Sequence, residues 1–221
     1  MRVIICCSRS WFKLSSKISN THVVKFFSSE EELSVESINT FRPDYIFFPH
    51  WNWVVERKIH EQFNCIVFHT APLPYGRGGS PIQNLILEGL KESPVCAIKM
   101  TAKLDSGPIY ASSNISLGGT LNSIFSRINH AINDLMVNII VENLNPVEQE
   151  GEPHVFKRLT NSDNEITAGL KLEEVYDRIR MVDHADYPNA FIMYGDLKIE
   201  FSNAVLKDEM MELTCVMRKL N

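Results

Sequence analysis

Four short apolar runs recur in the first seventy positions: RVIICC (2–7), VVKFF (23–27), DYIFF (44–48) and CIVF (65–68). Short runs rich in β-branched and aromatic residues, bounded by polar breaks, read as strands of a largely parallel sheet. Between them the spacing becomes helical. SSEEELSVESINTF places Ser29 as N-cap, acids in the first turn and Leu33, Ile38 and Phe41 on one short helix, which Arg42 and Pro43 end. PHWNWVVERKIHEQF predicts a loop and then a helix. SPIQNLILEGL (80–90) opens on Ser then Pro, a cap followed by a first turn, and predicts a helix. VCAIKM (95–100) predicts a further strand, and KLDSGPIY a loop that leads into an extended segment. Residues 121–144 carry the longest apolar periodicity and predict the longest helix.

The texture changes after Pro146. VEQEGEPH is polar and loop-like, FKRLTNSDNEI reads as an irregular arm, and LEEVYDRIRMV (172–182) predicts a short helix. AFIMYGDLKIEFSNA (190–204) predicts a hairpin turning at Tyr194-Gly195-Asp196. The last stretch, KDEMMELTCVMRKLN, fits a strand pair or a helix equally. The expected fold class is α/β: a Rossmann-like, mostly parallel sheet flanked by helices over residues 1–150, with a small C-terminal α+β hairpin extension over 151–221.

Composition narrows the function. The 221 residues are 44% hydrophobic and 22% charged, ordinary for a water-soluble globular chain. The net charge is −5 and no dense Lys/Arg tract is present, which argues against a nucleic-acid partner. No run of membrane-spanning length occurs, and MRVIICC reads as a first strand, so a cytoplasmic protein without membrane attachment is expected. Five cysteines occur without CxxC or Cys/His spacing, so buried thiols are expected and no metal site. The loop after the first strand lacks GxGxxG, which removes the dinucleotide fingerprint.

The candidate chemistry lies in FHTAPLPYGRGGSP (68–81). This segment follows a strand and precedes a helix, where ligands gather in open parallel sheets. Its prolines stiffen the loop, its glycines permit close approach, and His69 at the strand end can shuttle a proton near neutral pH. Asp105, in an Asp-Ser-Gly turn after another strand, can orient such a His if the two strand ends share one sheet edge. On the residues alone, a satisfied core His and a turn-capping Asp read equally well. Arg77 fits a phosphate or carboxylate contact, or a plain surface position.

These segments resemble the formyltransferases that use 10-formyltetrahydrofolate. HTAPLPYGRG is similar to their His-containing loop, LDSGPIY to their Asp motif, and FKRLTNSDNEI with LEEVYDRIRMVDHADYPNAF to the arm and helix beyond their core. The resemblance implies His69 and Asp105 as catalytic residues and no metal. It places the folate along Phe48, His50, Trp51, Asn52 and Trp53 and along Lys103 and Leu104. It also implies that loop residues such as Arg77, Gly78 and Ser80 meet the second substrate. One departure stands out: the family Asn two residues before the His is Val67 here. Thr70, Asn52, Gln83 and Asn84 are the candidates to replace its donor. The acceptor that fits best is the primary amine of a nucleotide-linked amino sugar rather than a tRNA, given the acidic chain and short C-terminal part, with a homodimer paired through residues 190–204 as a further expectation. Alternatives are a formyltetrahydrofolate hydrolase, a methionyl-tRNA-like transferase and an inactive folate- or sugar-binding module.

Overall fold

A computed structural model describes residues 1–220. The chain packs as two units. The first comprises Met1–Gly78, Ser93–Ile115 and Phe125–Val155, and the second Gly79–Glu92, Ser116–Ile124 and the chain from Phe156 on.

The apolar runs of the first unit form β1 (Arg2–Cys7), β2 (Val23–Phe27), β3 (Tyr45–His50) and β4 (Cys65–Thr70). Short helices α1 (Ser16–Ser19), α2 (Val35–Phe41) and α3 (Arg57–Gln62) connect them. Further strands are β5 (Tyr75–Gly78), β6 (Glu92–Lys99), β7 (Ile109–Ser116) and β8 (His154–Phe156). The six-stranded sheet runs β2-β1-β3-β4-β6-β7, and β5 pairs separately with β8. The pairs β1–β2, β1–β3 and β3–β4 are parallel. β6 runs antiparallel to β4, with Thr70 opposite Val95 and Ile66 opposite Lys99.

Alternation along each strand sends side chains to both faces. On one face Ile4, Cys6, Ile46, Phe48 and Cys65 form a core with Leu33, Ile38 and Ile59. Val3, Ile5 and Phe47 point the other way and are fully buried too. Burial on both faces explains why these strands are near-continuous apolar runs. The long helix α5 (Leu121–Glu142) carries buried Phe125, Ile128, Ile132, Leu135 and Ile139, the expected helical stripe. Asn129 and Asn133 on it accept hydrogen bonds of 2.7 Å from the backbone of Lys13 and Ser15, which pins the loop after β1.

In the second unit α4 (Pro81–Leu87) and α6 (Leu172–Arg180) accompany an antiparallel sheet. That sheet contains β9 (Ala190–Tyr194), β10 (Leu197–Lys207) and β11 (Met210–Lys219), in the order β11-β10-β9. The hairpin at residues 194–196 forms as its sequence predicts, and the undecided C-terminal stretch supplies the third strand. Arg180 is buried, and its guanidinium donates to Leu117 O, Gly119 O and the Asp177 carboxylate.

The fold class is the expected one, with two local departures. The helix foreseen from Ser29 breaks at Leu33. Glu32 folds back to accept the Ser28 and Ser29 amides around a short 3₁₀ turn, and Ser34 caps a new helix by accepting from Ser37 N at 3.1 Å. At α4, Ser80 adopts a left-handed backbone (φ 51°) and makes no cap with its side chain. Its hydroxyl instead accepts the Leu159 amide at 3.1 Å, a partner 79 positions away. Among the described residues no helix is long and apolar enough to cross a membrane.

Candidate functional site

Cys65, Val67 and His69 share one face of β4 by alternation. That face is the one on which Cys65 joins the core, and Val67, Trp51, Val55 and Met100 pack against the same cluster. The loop after β3 and the start of the loop after β6 are therefore seated on the His69 face by apolar contact.

His69 is buried, with 7% exposure. Its Nε2 lies 2.7 Å from Gly76 O. A carbonyl only accepts, so Nε2 carries the proton in this contact. Its Nδ1 faces Asp105 Oδ2 at 3.6 Å. The same carboxylate oxygen accepts the Gly78 amide at 2.9 Å. Gly76 and Gly78 sit at φ 85° and 97°, a conformation that costs glycine little and other residues more. The broken loop thus turns a carbonyl and an amide inward, one to the His and one to the Asp.

The expectation that His69 and Asp105 stand at neighbouring strand ends on one sheet edge is corrected. Because β6 is antiparallel, its end at Lys99 lies opposite Ile66, three residues before His69. The loop that follows must travel back along β4 to bring Asp105 to the His. Two features make that return possible. Asp105 takes a left-handed backbone at φ 48°. Gly107 packs so tightly under Lys99 that a Cβ there would sit 1.8 Å from Lys99 O. The Lys103 carbonyl closes the turn by accepting from the hydroxyls of Thr101 (3.0 Å) and Ser106 (2.8 Å).

Gln149, which the sequence reading missed, ties this loop to the glycine-rich one. Its Nε2 donates to Asp105 O and Gly107 O, both at 2.9 Å. Its Oε1 accepts from Arg77 Nε at 3.0 Å and Nη2 at 2.6 Å. A single Gln in an acidic loop carries no recognisable spacing, so no sequence signal pointed to it.

The other expected residues of the first unit fall into two groups. Phe48 is fully buried in the core, so its side chain supports the site and only its backbone is free of that duty. Thr70 is buried and points to the opposite face from His69. His50 Nδ1 lies 3.3 Å from Ser8 Oγ at the ends of β3 and β1. Trp51 packs edge-on against Phe48 and Trp53, and its buried Nε1 has no hydrogen-bond partner among the described residues. Asn52, Trp53, Lys103 and Leu104 are exposed. In the second unit the amide groups of two candidates donate to backbone carbonyls. Gln83 Nε2 donates to Met181 O, and Asn84 Nδ2 donates to the carbonyls of Gly79, Ser80 and Lys157. Asn84 is therefore not available as the missing donor in this arrangement, and Gln83 has one of its two N–H groups committed.

The buried thiols of Cys6, Cys65 and Cys96 are not nucleophiles at neutral pH. Burial pushes Cys65 up to about 12 and Cys96 up to about 11, and raises Cys6 well above the ordinary thiol range. Among the described residues no group of three or more His, Cys, Asp or Glu is placed to hold a metal ion. A cavity of about 570 Å³ in the second unit is lined by Asp183, His184, Tyr187, Glu200 and Arg218, among others, and does not include His69 or Asp105.

Residues 161–217 match the family described as methionyl-tRNA formyltransferase, C-terminal domain. A methionyl-tRNA formyltransferase of Malacoplasma penetrans is 28% identical over 151 residues, 65% of this chain and 47% of that protein. The chain thus spans about half the length of that relative. The structure of a methionyl-tRNA formyltransferase from Clostridium thermocellum superposes with a TM-score of 0.93 at 37% identity, covering 99% of both chains. A likeness of fold alone, at 17% identity and TM-score 0.58 over 74% of this chain and 89% of the other, extends to the formyltransferase PseJ from Anoxybacillus kamchatkensis, solved with UDP-4,6-dideoxy-4-formamido-L-AltNAc and tetrahydrofolate. With more than a third of its residues shared across the full length of a solved member, the chain belongs to the formyltransferase family.

Proposed function

We propose that this protein transfers a formyl group from 10-formyltetrahydrofolate to the primary amine of an amino sugar, carried on a nucleotide. The observation that bears this reading is the buried His69–Asp105 couple, fixed by Gly76 O on one side and Gly78 N on the other. The neutral amine attacks the formyl carbon, a C–N bond forms, and negative charge gathers on the formyl oxygen. His69, whose Nε2–H is held by Gly76 O and whose Nδ1 faces Asp105, relays a proton or, once released from Gly76 O, stabilises that oxygen; Asp105 orients the ring and accepts the proton that the amine must lose. The bond from the formyl carbon to the folate nitrogen then breaks, and the released nitrogen recovers a proton.

The residues of the first unit suit the folate. The loop after β3 offers the unpaired indole N–H of Trp51 and the exposed Asn52 and Trp53, and the Asp105 loop offers backbone at Lys103 and Leu104. Arg77 and Gly78 are the proposed contacts of the second substrate.

Charge favours a small acceptor. Binding tRNA means neutralising several phosphates with Lys and Arg. This chain has a net charge of −5 and a pI near 5.8. A small amine needs no such surface, and PseJ is a fold neighbour solved with a formamido-sugar nucleotide. The second reading, formylation of methionyl-tRNA, is favoured by the relatives at 28% and 37% identity, both methionyl-tRNA formyltransferases.

The test is a calorimetric titration with 5-formyltetrahydrofolate, a stable mimic of the donor, followed by turnover assays with 10-formyltetrahydrofolate. Amino-sugar nucleotides and methionyl-tRNA are offered in parallel. Binding together with turnover of an amino-sugar nucleotide, abolished in His69→Ala and in Asp105→Ala, is expected. Turnover of methionyl-tRNA alone would overturn the sugar reading. Absence of folate binding at millimolar ligand would overturn formyl transfer altogether.

A further inference from the structure

We infer that Gln149 is a positioning residue that sets the geometry of the His69–Asp105 couple, an inference that rests on the formyl-transfer reading above. Its primary amide has two donors and two acceptor sites, and all four are used. The donors grip Asp105 O and Gly107 O, so they clamp the loop on both sides of Ser106. The acceptor grips Arg77 twice. Arg77 lies between Gly76, whose carbonyl meets His69, and Gly78, whose amide meets Asp105. One planar group therefore joins the two segments that pin His69.

The frame behind Gln149 is itself anchored. Val147 and Ile109 exchange two backbone hydrogen bonds, of 2.7 and 2.9 Å, at the start of β7. Beyond Gln149 the chain returns to β5, where His154 N donates to Pro74 O at 3.2 Å and the His154 ring stacks on Tyr75 with centroids 4.7 Å apart. With both flanks fixed, the Gln149 side chain is held at its four partners. No other side chain reproduces the pattern: Glu lacks the donors, Lys lacks the acceptors, and Asn is one methylene short.

A misplacement of about 1 Å at a reacting pair can cost about 10²-fold in rate. Gln149 touches neither the formyl carbon nor the amine in the proposed reaction, so its effect passes through Asp105 and Arg77.

The test uses the full-length chain and two readouts independent of turnover. One is the ¹⁵N spectrum of the His69 ring, whose Nδ1 resonance senses the carboxylate beside it. The other is hydrogen exchange at the Gly78 amide, the donor to Asp105. Gln149→Met removes all four hydrogen bonds at similar volume. Gln149→Glu keeps the grip on Arg77 and loses the donors to the Asp105 loop, and it serves if the Met variant folds poorly. Asp105→Asn is the reference. In both Gln149 variants the Nδ1 resonance is expected to move in the direction seen for Asp105→Asn, and Gly78 exchange to quicken about 10-fold or more. If Asp105→Asn moves the resonance and the Gln149 variants leave it at the wild-type position, the inference falls while the couple stands. If Asp105→Asn itself leaves the resonance unmoved, the couple falls and the inference with it.

Discussion

Gly107→Ala isolates the packing that returns Asp105 to His69. The added Cβ would lie 1.8 Å from Lys99 O and 2.9 Å from Lys99 C. Both are backbone atoms, so no side chain can swing aside. Ordinary contact begins near 3.4 Å, and the two segments must part by more than an ångström to reach it. Three hydrogen bonds lie in the path of that movement: Lys99 N to Pro108 O, and Gln149 Nε2 to Asp105 O and to Gly107 O, each 2.9 Å. Overpacking typically costs about 1–3 kcal/mol, and each lost hydrogen bond about 0.5–1.5 kcal/mol. The expected loss is about 3–5 kcal/mol, a large share of the roughly 5–15 kcal/mol that stabilises a typical domain. For a chain of this size that lowers Tm by about 10 °C. Differential scanning calorimetry measures it, with Gly118→Ala as control, because a Cβ there meets only Ser116 Oγ at 3.3 Å. A Gly107→Ala protein that melts within about 2 °C of the wild type, with normal turnover, would show that the loop can move away from Lys99 at little cost, and the account of how Asp105 is placed would be wrong.

Three further outcomes are expected. Val67→Asn places an amide donor on the His69 face, and since the Asn84 donors are committed elsewhere, turnover should rise about 10-fold or more; an unchanged rate would mean that another group, such as Asn52 or the second N–H of Gln83, already supports the oxyanion. Arg180→Met leaves Asp177 and two carbonyls without their partner in a buried place, and chemical denaturation should register a loss of about 3–5 kcal/mol; a loss below about 1 kcal/mol would refute the assigned role. Stability should also fall in alkali. The Cys65 and Cys96 thiols ionise near 9.0 when unfolded but near 12 and 11 when folded, so the unfolded chain loses protons first and the stabilisation present below pH 9 disappears as the pH rises toward 12. Denaturation midpoints of the wild type and of a Cys65→Ala, Cys96→Ala variant, compared between pH 8 and pH 10.5, check the slope; equal slopes would assign the effect to other groups.

His69 and Asp105 could be picked out beforehand because each stands in a chemically unusual setting, a His in a Pro/Gly loop and an Asp in an Asp-Ser-Gly turn. Their meeting could not. It depends on the antiparallel register of β6, on a left-handed Asp105 and on a glycine pressed under Lys99, and none of these has a local signature. The commitment of Gln83 and Asn84 to distant carbonyls was equally hidden, since an amide side chain reads the same whether it faces a ligand or a backbone.

The strands β1 to β4, the long helix α5 and the hairpin of β9 and β10 are written in local pattern, because burial on two faces, on one stripe or around a tight turn each leaves its own period in the residues. The break at Leu33, the cap at Ser80 and the strand β11 were settled by partners far along the chain or by competition between neighbouring caps. β11 is the clearest case. Nearly all of its residues are exposed, so its pattern is indifferent between helix and strand, and pairing with β10 from Leu197–Lys219 to Lys207–Met210 decides it. The candidate site follows the same division. Residue chemistry is local and can be read along the chain, whereas distance between segments is set by register and packing, which exist only once the chain has folded.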